Sequence, residues 1–157
     1  MFVEKIFNDA KLPERANPTD SGADIFIHHF CDLYLNDPSV KPNGESSIVL
    51  RTNDRVIVSA GIAATVGPGF EIQVRARSGN AAKKGLIVVN GPGTIDESYI
   101  GEIKVIIANI SHNEQELKIG DKIAQLVVCP VILDEIIQVE KLKNTKRGEN
   151  GFGSTGN

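Results

Sequence analysis

The stretch VGPGFEIQVRARSG, residues 66–79, places a tight turn directly before an alternating segment. Glycine and proline at 67–69 are typical of a turn. In the residues that follow, Phe70, Ile72 and Val74 alternate with polar side chains, and this period of two predicts a half-buried β-strand. The stretch therefore favours a β-rich fold.

The same pattern recurs along the rest of the chain. Short runs rich in β-branched residues alternate with glycine- and proline-containing turns about every ten to fifteen residues, which is typical of an all-β sandwich or barrel. These runs lie at 56–58, 86–89, 103–107 and 123–128. Two segments differ from this pattern.

The first of these segments, residues 132–142, fits a helix and a strand equally well. The second, residues 78–84, predicts one or two helical turns with Ser78 as the N-cap and Gly85 as the terminator. The sequence leaves the structure of 132–142 open.

The composition limits the classes of function. The chain has 157 residues and a formal net charge of −3, which fits one domain that has no overall attraction for nucleic acid or anionic membranes. An anionic ligand must therefore be held by local groups. The longest apolar runs, such as 86–89, are too short to span a bilayer, and residues 1–11 lack the apolar region of a signal peptide. We expect a cytoplasmic protein with no stable binding to nucleic acid or membranes.

The two cysteines, Cys31 and Cys129, are predicted to be free thiols, because disulfides are rare in proteins that are not exported. His28 and His29 lie close to Cys31 in the sequence, and this grouping offers the alternative of a metal site. The chain contains no second cluster with zinc-ligand spacing, so the sequence does not favour this alternative.

Several polar segments interrupt the β pattern. Arg77 and Ser78, together with a possible helix N-terminus, offer the charge, the hydroxyl and the backbone N–H groups that a phosphate needs. The glycine-rich segment RGENGFGSTG, 147–156, offers similar chemistry together with Phe152, whose ring could stack on a planar base. Asp96 is an acid in a loop. Taken singly, a loop aspartate is usually a turn residue and strand arginines are usually solvated. Together these groups indicate a nucleotide hydrolase.

Five segments in order along nearly the whole chain resemble the trimeric deoxyuridine triphosphatase (dUTPase) family. They are SGADIF (21–26), RSG (77–79), NGPGTIDESYIGE (90–102), GDKIAQL (120–126) and RGENGFGSTG (147–156), of which the third and fifth are the most specific. The resemblance implies an all-β fold, a distorted β-barrel of jelly-roll type (β-clip). It implies a homotrimer with active sites between subunits. Residues 1–146 would form the core and residues 147–157 a flexible lid.

The resemblance also implies the reaction and its cofactor. Members of the family use Mg²⁺ to hydrolyse dUTP to dUMP and pyrophosphate by water attack on the α-phosphorus, which supplies the precursor of dTMP and limits uracil in DNA. Asp96 matches the general base, and Asp24 matches the acid that holds the Mg²⁺ through the ion's bound water.

The remaining site residues follow from the same resemblance. Tyr99 is expected to pack under the deoxyribose and exclude a 2′-hydroxyl, while Lys104 matches a further substrate contact. The residues expected to hold the phosphates are Arg77, Ser78, Gly79 and Gln125. Those expected to read uracil are Asn90, Gly93, Thr94 and Ile95. Those expected to close over the substrate as a lid are Arg147, Phe152, Gly153 and Ser154.

The chain departs from the family pattern in a few places. Asn80 stands where leucine is usual, and Ile100 stands where arginine is frequent. Residues 30–46 are longer than the usual connection and are expected to form a surface insertion. Two alternative functions stay open at this point. One is a dCTP deaminase on the same fold, and the other is a regulatory, partner-binding protein for which the insertion is the best support.

Overall fold

The computed structural model describes residues 1–34 and 46–149, which form eleven β-strands and one short π-helix. The strands are β1 Phe2–Lys5, β2 Ala23–Phe26, β3 His29–Tyr34, β4 Ser47–Leu50, β5 Arg55–Thr65, β6 Phe70–Ala76, β7 Leu86–Val88, β8 Gly93–Ile95, β9 Glu102–Asn109, β10 Gln115–Lys118 and β11 Lys122–Pro130, and the π-helix is Asn80–Lys84. The expected all-β fold is confirmed.

The strands form three antiparallel sheets. One has the order β1-β5-β9-β7, with β3 also paired to β5, the second is the pair β10-β4, and the third has the order β2-β11-β6-β8. The arrangement is jelly-roll-like, and within the described residues no sheet closes into a barrel.

The core consists of the inward-facing side chains of these sheets. In β6, Ile72 and Val74 are buried while Glu71 and Gln73 are partly exposed, as their alternation predicts, but Phe70 at the start of the strand is 45% exposed. Other fully buried side chains include Ile25, Ile48, Leu50, Val56, Val58, Ile62, Ile103, Ile107, Leu117 and Leu126. Three of the four β-branched runs of the sequence fall within strands that contribute to this core, and the fourth, 86–89, does so except for Val89, which lies beyond the end of β7 and is exposed.

Three sequence predictions need correction or completion. Residues 30–34 belong to β3 rather than to an insertion, and the remaining residues of that interval, 35–45, lie outside the described part of the chain. Gly85 ends the helical turn in the left-handed conformation (φ 64°) as predicted, but the N-cap is Gly79 and not Ser78. Residues 132–142 adopt neither of the two structures considered for them, since they form no helix or strand.

None of the helical structure in residues 1–34 and 46–149 has the length and apolar character needed to cross a membrane.

Candidate active site

A cavity of about 420 Å³ lies where β2, the end of β6 and β11 meet, and we call it the Arg77 pocket. Its lining combines the second predicted segment with parts of the first and fourth: Ala16, Asp20, Ser21, Gly22, Asp24, Arg77, Ser78, Gly79 and Gln125. The structure therefore brings together four residues predicted for phosphate binding and the acid predicted for Mg²⁺.

Asp24 forms ion pairs with two cationic side chains at this pocket. Its side chain is 14% exposed and accepts two hydrogen bonds from Arg77, from Nε to Oδ1 at 2.7 Å and from Nη2 to Oδ2 at 3.2 Å. Such forked, charge-assisted pairs fix the plane of a guanidinium group. Lys122 Nζ lies 3.2 Å from Asp24 Oδ2 as well. A role for Lys122 was not predicted from the sequence. The position of this cation in GDKIAQL, three residues before Gln125, could have indicated one.

Gln125 connects the first and fourth segments of the sequence. Its Nε2 donates to the carbonyl oxygen of Ala76 at 3.0 Å, while its side chain lies against Gly22. A Cβ atom at position 22 would stand 1.9 Å from Gln125 Oε1, so any larger residue there would force the Gln125 side chain to move. The close approach of Gln125 explains why the second residue of SGADIF is a glycine, which has no Cβ atom.

Asn80, one of the departures from the family pattern, has a defined structural role. Strand β6 ends at Ala76 opposite Ala124, so the first two residues of β11 have no partner in β6. The Asn80 side-chain amide donates to the carbonyl oxygens of Lys122 and Ile123 at 3.0 and 3.3 Å. It thus supplies donors where the neighbouring strand has ended.

A second cavity of about 190 Å³ is lined mainly by residues of the third segment, and we call it the Tyr99 pocket. Its lining residues are Thr94, Ile95, Asp96, Tyr99, Glu102, Ile103 and Lys104. Asp96 is exposed and directly follows β8, and the amide N–H of Tyr99 donates to its carbonyl oxygen at 3.0 Å. Asn90 and Gly93 lie side by side just before this pocket, since a Cβ on Gly93 would stand 3.2 Å from Asn90 Nδ2.

The strand register separates the two pockets within one chain. Asp24, Gln125 and Arg75 share one row across the sheet, whereas Ile95 lies opposite Ile72, three residues farther along β6. Asp24 on β2 and Ile95 on β8 are also three strand spacings apart. With about 3.4 Å per residue and about 4.8 Å between strands, their Cα atoms are roughly 18 Å apart. Within one chain the two pockets therefore lie well apart on this sheet.

The predicted lid residues lie at the limit of the described chain. Arg147 is exposed, and the amide N–H of Gly148 donates to the carbonyl oxygen of Thr145 at 3.1 Å. Phe152, Gly153 and Ser154 lie outside the described residues.

The histidine pair has contacts that account for its position without a metal. His28 Nε2 lies 3.1 Å from Asp9 Oδ1, and the ring of Phe7 stacks on His28 with centroids 4.6 Å apart. The hydrogen bond from His28 holds the pKa of Asp9 below its ordinary value of 3.8.

Cys31 and Cys129 are both free thiols, and burial raises the pKa of Cys31. Among the described residues, no three His, Cys, Asp or Glu side chains are placed to hold a metal together.

Comparisons with protein-family models and with curated proteins give the same family as the five sequence segments. The dUTPase family model matches residues 8–156. The deoxyuridine 5′-triphosphate nucleotidohydrolase of Nautilia profundicola is 47% identical over 154 residues, covering 98% of this chain and 96% of that protein. The corresponding protein of a Hydrogenobaculum species is 42% identical over 156 residues, covering 99% and 97%.

A solved structure also matches the whole fold. The dUTPase of Staphylococcus bacteriophage 80alpha, determined with dUPNHPP, superposes with a TM-score of 0.74 at 26% identity, covering 99% of this chain and 97% of that one. The family model and the two sequence relatives span nearly the full length of the chain, so the resemblance extends beyond the fold. The chain belongs to the dUTPase family, whose members hydrolyse dUTP to dUMP and pyrophosphate.

Proposed function

We propose that this chain hydrolyses dUTP in an active site built from two subunits, one supplying the Tyr99 pocket and the next supplying the Arg77 pocket. The observation that carries the proposal is the separation of the two pockets in one chain, where the strand register places the Cα atoms of Asp24 and Ile95 roughly 18 Å apart. A general base must come within about 2.6–3.2 Å of the water that it deprotonates. In the proposed assembly, a second copy of the chain places its own Arg77 pocket next to Asp96 of the first copy, so the two groups can act on one substrate.

The exposed arm at 131–142 supports the assembly of copies. Ile132 is 93% exposed, Ile136 is 99% exposed and Leu142 is 81% exposed. Apolar side chains grouped on a surface in this way are typical of an interface, because their burial against a partner removes them from water. We propose that the arm packs on a neighbouring subunit of a homotrimer, the assembly that the family implies.

The Tyr99 pocket is proposed to bind the nucleoside. Backbone groups of 93–95 and the Asn90 amide would read the edge of uracil, and Tyr99 would pack under the deoxyribose. Cytosine presents a donor where uracil presents an acceptor, so its binding would leave hydrogen-bonding groups of the site unpaired, which strongly disfavours it. Lys104, at the rim of the same pocket, would supply a further substrate contact.

The Arg77 pocket is proposed to bind the phosphates. Arg77, Ser78 and the backbone of Gly79 offer cationic and hydrogen-bonding donors, and Gln125 lies beside them on β11, where it would orient the attacking water. The charge of Arg77 is already held in place by Asp24. A guanidinium that is oriented before the substrate binds needs little reorganisation during the reaction.

The oxygen-rich lining of the Arg77 pocket also fits Mg²⁺. The carboxylates of Asp20 and Asp24 and the hydroxyl of Ser21 are hard oxygen donors of the kind that Mg²⁺ prefers, often through its bound waters. When bound, the ion would neutralise charge on the phosphate oxygens. A mutant dUTPase from phage phi11 of S. aureus, which is 23% identical with a TM-score of 0.69, is described with a structural Mg(II) ion. We propose that Asp24 holds Mg²⁺ through a water bound to the ion.

The segment from Arg147 to Asn157 is proposed to close over the bound substrate, with Arg147 and Ser154 at the γ-phosphate, and with Phe152 stacked on uracil next to Gly153. Eleven residues of extended chain reach roughly 36–40 Å, which is enough to cross onto a neighbouring subunit. Such a lid would exclude bulk water from the reaction.

The direct test replaces the proposed base. Asp96→Asn keeps the shape of the side chain but removes most of its basicity, so turnover of dUTP should fall at least about a hundredfold while dUTP still binds. Pyrophosphate release from dUTP, UTP, dTTP and dCTP in the presence of Mg²⁺ measures turnover and substrate choice. Glu97→Gln is the matched control, because this neighbouring carboxylate is absent from the lining of the Tyr99 pocket. Normal turnover by Asp96→Asn would exclude Asp96 as the base.

A further inference from the structure

The position of Tyr99 depends on the residue at the start of β9. The Tyr99 hydroxyl donates to the carbonyl oxygen of Glu102 at 3.0 Å. The ring also lies over Gly101, where a Cβ atom would stand 2.5 Å from the Tyr99 hydroxyl oxygen. Any shift of the Glu102 backbone would therefore move the phenol ring.

The backbone ladder that should hold Glu102 is interrupted at this point. Ser59 of β5 lies opposite Lys104 and Ala63 lies opposite Glu102, so three residues of β5 face the single residue Ile103 of β9. Extra residues of this kind form a bulge, in which regular ladder hydrogen bonds are lost. Gly61 in the bulge has a φ of 68°, a conformation that suits glycine.

A side-chain contact bridges the interrupted ladder. The Ser59 hydroxyl donates to Glu102 Oε1 and accepts a hydrogen bond from the Gly61 amide at 2.8 Å. Ser59 is completely buried, and the Glu102 side chain is 19% exposed. The other carboxylate oxygen of Glu102 lies 3.9 Å from Lys104 Nζ.

Removal of either partner would leave a polar group of this contact unsatisfied. A buried hydroxyl without an acceptor, or a mostly buried carboxylate without its donor, is costly. The backbone at the start of β9 would move to reduce that cost, and the Tyr99 ring would move with it. The ion pair to Lys104 is half exposed and longer, so it contributes less.

We infer that Glu102, held by Ser59, is a positioning residue that sets the depth of the sugar site and so the preference for deoxyribose over ribose. The inference rests on the proposed role of Tyr99 beneath the deoxyribose. Glu102 acts through the position of the Tyr99 ring and needs no contact with the nucleotide.

The test measures the ratio of kcat/KM for UTP to that for dUTP in four variants. Glu102→Ala and Ser59→Ala should each raise this ratio about tenfold, chiefly through changes in KM, because a displaced ring makes room for the 2′-hydroxyl. Glu102→Gln keeps an oxygen acceptor for Ser59 and should stay within about twofold of the unmodified chain. Tyr99→Ala should raise the ratio at least as much as either alanine variant.

The control is Glu114→Ala, which removes an exposed carboxylate paired with Arg51 on another part of the surface. An unchanged ratio in a folded Glu102→Ala variant, with a raised ratio in Tyr99→Ala, would overturn the inference and leave the role of Tyr99 intact. An unchanged ratio in Tyr99→Ala would reject the role of Tyr99 and the inference with it. If Glu102→Ala does not fold, Ser59→Ala decides, and equal losses of kcat/KM for both nucleotides in that variant would also overturn the inference.

Discussion

At the scale of single residues, the close contact between Gly22 and Gln125 explains why SGADIF requires its glycine. The sequence shows a small residue before β2, but the reason lies in β11, about a hundred residues later. The alternation of apolar and polar residues cannot reveal a contact between distant segments. The resemblance places Gly22 and Gln125 in two of the family's segments, but it does not show that the two residues touch. The same limit applies to Lys122, whose contact with Asp24 depends on the pairing of β2 with β11.

Gly22→Ala should therefore impair the Arg77 pocket without changing any charge. The added methyl group would stand 1.9 Å from Gln125 Oε1, so Gln125 must leave its hydrogen bond to Ala76. We expect turnover of dUTP to fall about tenfold to a hundredfold, since small displacements of a positioning group are costly. Steady-state kinetics give the measurement. Gly67→Ala is the matched control, because a Cβ atom there meets nothing within 4 Å. Equal activity of the two variants would contradict this prediction.

At the scale of elements, alternation and β-branched runs predicted five strands of the core, β5, β6, β7, β9 and β11, but not the shorter β2, β4, β8 and β10 that also contribute to it. They failed at β3, where the pairing with β5 shifts register between Phe30 and Leu33 and the alternation is broken. They also left 132–142 open, because apolar side chains such as Ile132 and Ile136 are exposed, so that burial against the other described residues selects neither a helix nor a strand. The N-cap at Ser78 failed for a different reason, because a serine followed by a glycine offers two possible starting points for one helical turn.

The junction between the π-helix and β11 gives a prediction at this scale. Asn80→Leu restores the residue usual in the family but removes two hydrogen bonds to the carbonyl oxygens of Lys122 and Ile123. Each such bond contributes about 0.5–1.5 kcal/mol, so the melting temperature should fall by several degrees. The start of β11 should loosen, and KM for dUTP should rise more than kcat falls.

Differential scanning fluorimetry and steady-state kinetics test this junction. Asn80→Gln keeps an amide donor and should recover part of both losses. An Asn80→Leu variant with unchanged melting temperature and unchanged KM would show that β11 does not need the Asn80 amide at its first residues, where Arg77 Nη1 also donates to the Lys122 carbonyl oxygen.

At the scale of the whole molecule, the sequence identified the chemistry of the site better than its location. The segments that carry Asp24, Arg77 and Gln125 meet in one pocket, while Asp96 and Tyr99 line another. Nothing in the spacing of these residues along the chain reveals that the two groups occupy opposite corners of one sheet. Strand order and register are required for that, and both depend on contacts between distant segments.

A composite site can be tested by mixing two inactive subunits. Asp96→Asn removes the proposed base from one pocket, and Arg77→Ala removes the proposed phosphate-binding cation from the other, so each variant alone should have very low activity. If each site takes the two residues from different copies, trimers that contain both variants, isolated after co-expression, should recover about a third of the unmodified activity, because one of their three sites receives two intact halves. Separate affinity tags isolate the mixed trimers, and pyrophosphate release measures their activity. Mixing the two purified variants without subunit exchange is the control. If both residues instead acted within one chain, every site in the mixed trimer would carry a defect, and activity would stay at the level of the single variants.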